Sequence, residues 1–200
     1  SFEKGRILWP RQWYRGFCET LRLIKKQCAE VPNVLSMNAP QDIAIMFDKP
    51  RCQALLHDSQ INVPRSLGTV HSYAEVIERM ESTRCWRVFI KLAHGSSASG
   101  VVAYQTNGQR HQATTTVEMV QYKGELRLYN SRRIRTYRNK HDITMLIDEL
   151  CRHNVQVEQW LPKAGYDQKS FDLRVVVIGG KVQHVVARLS RSPITNLHLL

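Results

Sequence analysis

The sequence predicts an α+β protein built mainly from antiparallel sheets. Helical and strand patterns follow one another without the strict alternation that is typical of parallel α/β folds. Runs of β-branched and aromatic residues are separated by glycine-containing turns, which favours antiparallel strands. With 200 residues and 42% hydrophobic content, the chain can also enclose a sizeable core in one or two compact domains.

The first predicted helix lies in the segment RQWYRGFCETLRLIKKQC. Its apolar residues recur every three or four positions, so they form one face of an amphipathic helix that we expect to pack on a sheet. That face consists of Trp13, Phe17, Leu21, Ile24 and Cys28.

A second, shorter helix is predicted after Asp48, whose side chain can cap the first turn, with Pro50 inside that turn. Leu55 and Leu56 are expected on its buried side. An extended segment should follow, because the residue before Pro64 is disfavoured in helical geometry.

Two more helices have clear signals. Ser72 and Glu75 form a capping box at the start of SYAEVIERM, and DITMLIDELCRH is another amphipathic segment. Between them, residues 86–121 predict several strands, interrupted at residues 95–100 and near Gly108. A further pair of strands is predicted around ELRLYN and RIRTY.

The last part of the chain predicts three strands. One is VQVEQWL, and residues 171–189 form two strands joined by a turn at Gly179 and Gly180.

The formal charge of +12 predicts an anionic partner, either nucleic acid or a phosphorylated small molecule. The densest basic segment runs from Arg132 to Lys140, with Tyr129 and Tyr137 beside it as stacking groups. A solvated hairpin or lid explains this segment equally well.

The cysteines and histidines predict neither a disulfide framework nor a metal site. Five cysteines are scattered without a CxxC pair, and eight histidines show no ligand spacing such as HExxH. No apolar run is long enough to cross a bilayer. These features favour a soluble, cytoplasmic protein without a membrane partner.

The segment VFIKLAHGSSASGVVAY combines a strand, a lysine and a loop of mostly small residues. Alternation places Val88, Ile90 and Leu92 on the core face of the strand, and Phe89 and Lys91 on the other face. Backbone N–H groups of the loop HGSSASG can close around phosphate oxygens, although a solvated lysine is the commoner outcome for such a strand. The lysine precedes the glycines, which excludes a Walker-type loop.

This order of a lysine, a glycine loop between antiparallel strands, and an upstream DK that opens a helix resembles the ATP-grasp family. The run FDLRVVVIGGKVQHVVARLSRSPITNLHL is similar to the DIR, GG, R and N pattern of the RimK-type ligases. The segment VEQWLP resembles the hinge between the two lobes of that family. The matches follow the family's order and cover most of the chain.

The resemblance implies a nucleotide cleft between two lobes of mainly antiparallel sheet with flanking helices. Lys49 and Lys91 would contact the phosphates of ATP, and the glycine loop would close over them. At the hinge, the backbone of Gln159 and Leu161 would hold the adenine edge. The implied loop and hinge residues are His94, Gly95, Ser96, Ser97, Ala98, Ser99, Gly100, Glu158, Gln159, Trp160 and Leu161.

The second lobe would supply the remaining contacts. Asp172 would lie near the ribose and Asn196 near the triphosphate. Arg174, Arg188 and also Arg191 would face phosphate or an acidic substrate, the first two as catalytic cations. The residues alone are also consistent with simpler roles that need no ligand. Asp172 could form an ion pair with Arg174 on an exposed sheet face, and the hinge tryptophan could serve only in packing.

The resemblance also implies a division of the chain. Residues 1–65 would be a remnant of an N-terminal domain with a linker helix, residues 66–157 the small lobe with the glycine-rich loop, and residues 158–200 the start of a large lobe. Ile194 occupies a position where RimK-type sequences usually have arginine, and the acidic ligands for Mg²⁺ would lie beyond Leu200. We therefore expect a fragment of a longer protein.

The activity implied is that of an enzyme that joins a carboxylate to an amine through an acyl phosphate, with ATP and Mg²⁺. Its substrates would be a small-molecule or peptide carboxylate and an amine. Two alternatives stay open: a nucleotide-binding protein without ligase activity, and a basic nucleic-acid-binding module that uses the run from Arg132 to Lys140.

Overall fold

The structure is a computed structural model that describes residues 3–195. Within this range the chain forms five helices and nine strands. The helices are α1 (Pro10–Glu30), α2 (Pro40–Met46), α3 (Lys49–Asp58), α4 (Tyr73–Thr83) and α5 (Lys140–Cys151). The strands are β1 (Ser66–Val70), β2 (Arg87–Leu92), β3 (Val102–Thr106), β4 (His111–Tyr122), β5 (Glu125–Tyr137), β6 (Val155–Gln159), β7 (Gly165–Tyr166), β8 (Lys169–Ile178) and β9 (Lys181–Ser190).

The strands form two antiparallel sheets. The larger sheet has the order β1-β6-β2-β3-β4-β5, and the smaller one has the order β7-β8-β9. The pairings between these strands are antiparallel. The predicted α+β class with antiparallel sheets and flanking helices is therefore confirmed.

The main core lies between one face of the larger sheet and the two helices α4 and α5. The predicted alternation on β2 is confirmed, because Val88, Ile90 and Leu92 are buried. The capping signal of α4 is also confirmed, since the Ser72 side chain accepts a hydrogen bond from the Glu75 backbone N–H at 3.2 Å. Burying one face of the sheet under helices leaves the Lys91 face for other contacts.

Helix α1 packs on α2, and our prediction that it packs on a sheet is wrong. Phe17 stacks on Trp13 and also meets Phe47, just after α2, with ring centroids 4.9 Å apart in the second pair. Only Leu21 of the predicted apolar face is fully buried, while Trp13 stays exposed. The Phe47 ring at the end of α2 therefore covers part of the apolar face of α1.

Helix α3 begins as predicted, with the Asp48 side chain accepting from the Arg51 backbone N–H. Leu55 is exposed, however, so the predicted burial of this residue is wrong. The reason is that α3 lies beside β1 at the edge of the larger sheet, where only a narrow side of the helix is covered.

The segments ELRLYN and RIRTY form one strand, β5, and not the predicted pair. The long strand β4 pairs with both parts, and the register shifts between Thr115 and Val117. This bulge takes up the extra residues of β5, so no turn is needed between the two segments.

Among residues 3–195, no helix is both long and apolar enough to cross a membrane.

Candidate functional site

A cleft of about 580 Å³ lies between the larger and the smaller sheet. Its size is within the range of small-molecule sites. Four cationic and two acidic side chains line it: Lys91, Lys163, Arg174, Arg188, Glu158 and Asp172. The cleft therefore combines an excess of positive charge with contributions from both sheets.

Lys91 lies on the face of β2 opposite the core and forms an ion pair with Glu158. The antiparallel register of β2 with β6 places Phe89 opposite Glu158 and Lys91 opposite Gln156, so the lysine and the carboxylate are diagonal neighbours. Their side chains are only 25% and 14% exposed, respectively. The pair is therefore partly desolvated, and each charge depends on the other.

Lys49 approaches the same region from the start of α3. Its backbone N–H donates to the Ala93 carbonyl at 3.0 Å, and its Nζ donates to the Gly95 carbonyl. The pKa of Lys49 is lowered to about 8, mainly by burial and also by the charge of Lys91, while Glu158 opposes the shift. Two lysines are thus held near one glutamate.

The Lys49 pKa predicts a change in stability with pH. Below about pH 8 Lys49 is charged in both the native and the unfolded chain, so the native state bears the desolvation cost. We expect Lys49→Met to raise the free energy of unfolding at pH 7 by about 1–2 kcal/mol, after the lost hydrogen bond is offset. The stability advantage of Lys49→Met over the wild type should shrink as the pH rises from 8 towards 10.5, the pKa of Lys49 in the unfolded chain. In this range wild-type Lys49 loses its proton on folding, so the native state no longer holds a buried charge.

Urea unfolding of both proteins at pH 7 and pH 10 measures this difference. A wild type that is more stable than Lys49→Met at pH 7 would contradict the assignment of Lys49 as a desolvated cation.

The loop at residues 93–101 is compact and held at both ends. Ser97 and Ala98 have positive φ angles of 51° and 57°, and Thr116 Oγ1 donates to the Ala98 carbonyl at 2.8 Å. Gly100 also has a positive φ, of 65°, and a Cβ there would lie 2.5 Å from Leu92 Cδ1. Glycine is therefore required at this position both by conformation and by space.

Not every predicted loop residue faces the cleft. Ser97 and Ala98 line it, whereas His94 is buried on the other side of the loop, against the N-terminal helices. The His94 ring stacks on Tyr14 at 4.0 Å, and its Nδ1 lies 3.4 Å from the Phe47 carbonyl. Burial lowers the pKa of His94 below its ordinary value, so the ring anchors the loop as a neutral group.

The predicted hinge begins in the last two residues of β6 and continues beyond the strand. Gln159 and Leu161 line the cleft together with Glu158. The Gln159 backbone N–H already donates to the Arg65 carbonyl at 2.8 Å, so this N–H is not available to a ligand. Trp160 packs on Phe89 with ring centroids 5.4 Å apart and lies under the Arg87 guanidinium. Trp160 is not among the residues that line the cleft.

Asp172 is the centre of a polar cluster on the smaller sheet. The register of β8 with β9 places it opposite Arg188, whose guanidinium donates to both carboxylate oxygens at 2.7 and 3.0 Å. Lys163 Nζ and Thr195 Oγ1 also donate to Asp172. Burial raises the pKa of Asp172, but these hydrogen bonds outweigh it and hold the pKa below its ordinary value.

Lys163 and Thr195 belong to this cluster and were missed by the sequence reasoning. Lys163 Nζ lies 2.5 Å from Thr195 Oγ1, and burial lowers the pKa of Lys163. The only signal for Lys163 was its position just after the hinge segment. Ile194 lines the cleft beside them, where arginine was expected, while Asn196 lies outside the described residues.

No group of three His, Cys, Asp or Glu side chains that could hold a metal ion occurs among residues 3–195. Glu158 is paired with Lys91, and Asp172 with Arg188 and Lys163, so both cleft carboxylates are neutralised by cations. The predicted ligands beyond Leu200 lie outside the sequence.

No protein-family model, curated protein or solved structure matches this chain. The indication of a function therefore comes from the geometry of the cleft. Three segments that are far apart along the chain, namely β2 with its glycine loop, the predicted hinge, and the β8–β9 hairpin, meet around one cavity.

Proposed function

We propose that this chain binds ATP as an ATP-grasp protein and serves as an ATP-dependent carboxylate–amine ligase. One observation carries the proposal: Lys91, three hinge residues and the Asp172–Arg188 cluster converge on one cleft between two antiparallel sheets. The three hinge residues are Glu158, Gln159 and Leu161. These groups were predicted as phosphate, adenine and ribose contacts from separate parts of the sequence.

The phosphates would lie between Lys91 and the arginines of β8 and β9. Lys91 and Arg188 now neutralise Glu158 and Asp172, and they can turn towards phosphate oxygens without leaving the cleft. Arg174 lines the same cavity from the smaller sheet. In a partly desolvated cleft such cations stabilise negative charge more strongly than they do in water.

The adenine would lie at the hinge. The Gln159 carbonyl accepts from the exocyclic amine of adenine, and the half-exposed Leu161 side chain covers one face of the ring. Trp160 supports the hinge from behind through Phe89 and Arg87, and does not itself stack on the base.

Asp172 would mainly orient the side chains next to it and would contact the ligand less directly. Because Arg188, Lys163 and Thr195 already donate to it, a ribose hydroxyl reaches Asp172 only by replacing one of them. Its principal task in this proposal is to hold Arg188 and Lys163 in position.

The reaction transfers the γ-phosphoryl group of ATP to a substrate carboxylate oxygen and releases ADP. The amine then attacks the acyl carbon, and inorganic phosphate leaves as the new C–N bond forms. This chemistry needs positioned cations and no protein nucleophile, which suits a cleft with four cations. Magnesium bound with ATP would supply further positive charge for the transferred phosphoryl group, and none of the residues between 3 and 195 is assigned to hold it.

Binding of ATP tests the first half of the proposal. ATP at a hundred times its dissociation constant should raise the free energy of unfolding by about 2.7 kcal/mol if it binds only the native state. Thermal unfolding with and without ATP measures the change, with adenosine as the control that lacks phosphates. No shift with millimolar ATP, in protein shown to be folded, would contradict the proposal.

Release of ADP tests the second half. The native protein is incubated with ATP, Mg²⁺ and a panel of carboxylates and amines, and ADP is measured for each pair. Formation of ADP that requires both substrates supports the ligase. Tight ATP binding without ADP release for any pair would favour the nucleotide-binding protein that lacks ligase activity.

A further inference from the structure

A second and larger groove lies on the same face of the larger sheet as Lys91, but at the other end of β2. The register places Arg87 opposite Gln105, and Gln105 opposite Gln112. Arg138 continues this row one residue after β5. Together with Trp86 and Arg110 these side chains line a cavity of about 1060 Å³, here called the arginine groove.

The arginine groove is separate from the proposed phosphate site. Arg87 and Lys91 are four residues apart on one strand, which corresponds to about 13 Å. Arg87 lies against Trp160 at the hinge, and the residues that line the arginine groove are all different from those that line the cleft with Lys91. A ligand in this groove therefore does not need to take part in phosphoryl transfer.

The lining of the arginine groove contains no carboxylate. Arg87, Arg110 and Arg138 form no ion pair with any residue between 3 and 195, and the remaining polar lining consists largely of amide side chains and His111. The cleft with Lys91, in contrast, has a carboxylate partner for several of its cations. Three arginines with no acidic partner along one groove favour an anion with several charges.

One wall of the groove is already ordered. The Asn107 side chain accepts from the backbone N–H groups of Gln109 and Arg110, at 3.2 and 2.7 Å. Thr106 Oγ1 donates to the Arg110 carbonyl at 2.9 Å and accepts from the Gly108 N–H. The turn that presents Arg110 therefore loses little conformational freedom when a ligand binds.

We propose that the arginine groove binds single-stranded nucleic acid. Arginine guanidinium groups match phosphate oxygens, and the half-exposed Trp86 ring offers a platform for an unpaired base. Amide side chains such as Gln105 and Gln112 can donate to and accept from base edges. An acidic peptide would use the arginines alone, and a duplex would present no unstacked base to Trp86.

The test is fluorescence anisotropy with labelled 12-nucleotide single strands of RNA and of DNA, at several salt concentrations. We expect Arg110→Ala with Arg138→Ala to weaken binding at least tenfold and to reduce the slope of log affinity against log salt by about 1.4. Trp86→Ala should weaken binding about five- to a hundredfold with an unchanged slope, because it removes stacking and no charge.

The charge-matched control is Arg132→Ala with Arg133→Ala, two exposed arginines at the bulge of β5 that do not line the groove. This pair should change the affinity less than threefold. Equal loss in both double variants would overturn the proposal in favour of general attraction to a basic surface. Unchanged affinity in Trp86→Ala, or tighter binding of polyglutamate than of either strand, would also overturn it.

Thermal unfolding with ATP separates this proposal from the proposed function. The groove variants should keep their stability, since the replaced side chains are exposed, and should keep the ATP-dependent shift. Loss of oligonucleotide binding with a normal ATP shift supports the groove alone. Oligonucleotide binding in a protein that shows no ATP-dependent shift would support the nucleic-acid site and contradict only the proposed ligase.

Discussion

Replacing Lys91 with alanine is expected to weaken ATP binding about ten- to a hundredfold. The variant removes one cation from the partly desolvated cleft, where a charged hydrogen bond contributes about 1.5–3 kcal/mol. It also leaves Glu158 without its partner, so a remaining negative charge faces the phosphates. Isothermal titration calorimetry with ATP measures the change.

A second variant separates the loss of the cation from the exposure of the glutamate. Lys91→Ala combined with Glu158→Gln should be more stable than Lys91→Ala alone, because no unpaired carboxylate remains in the cleft. It should not recover the full ATP affinity, because no cation is restored. Replacing Arg132, Arg133 and Arg135 by alanine should leave ATP binding nearly intact. If that triple variant abolished ATP binding while Lys91→Ala did not, the nucleotide site would lie elsewhere on the chain.

Replacing Gly100 with alanine is expected to lower the free energy of unfolding by about 2–4 kcal/mol. The new Cβ would lie 2.5 Å from Leu92 Cδ1, inside the core, and the φ of 65° is unfavourable for alanine. The same change should displace the loop that lines the cleft through Ser97 and Ala98. Urea unfolding measures the stability, and ATP titration measures the effect on the cleft.

Gly179→Ala is the matched control. Gly179 has a φ of 58°, but a Cβ there meets nothing within 4 Å, so only the conformational cost of about 1–2 kcal/mol applies. A Gly100→Ala variant no less stable than Gly179→Ala would show that the loop is not packed against Leu92.

The sequence could predict features that depend on near neighbours in the chain. The caps at Asp48 and Ser72 form as expected, because a cap needs only a side-chain oxygen and an N–H group three residues later. The faces of β2 also follow from alternation, which is a property of one strand. Lys91, Glu158 and Asp172, which line the cleft from β2, β6 and β8, are in contrast predicted from the resemblance to the ATP-grasp family.

Other features escaped sequence reasoning because their signals are weak or ambiguous. Helix α2 and strand β1 are short and were not predicted at all. The two segments of β5 read as separate strands in the sequence, because a bulge contains the same kinds of residues as a turn. His94 was placed with the phosphate loop, although its ring packs on Tyr14.

By itself, the sequence determined the caps of α3 and α4, the buried face of β2 and the chemical groups available at the cleft. Only the tertiary structure decided that Lys91 meets Glu158, 67 residues away, and that Lys163 and Thr195 join Arg188 on Asp172. The tertiary structure also decided that Arg138 lines the arginine groove together with Arg87. The physical reason is that backbone hydrogen bonds allow a strand to pair with many partners, while the packing of the whole core selects one neighbour and one register.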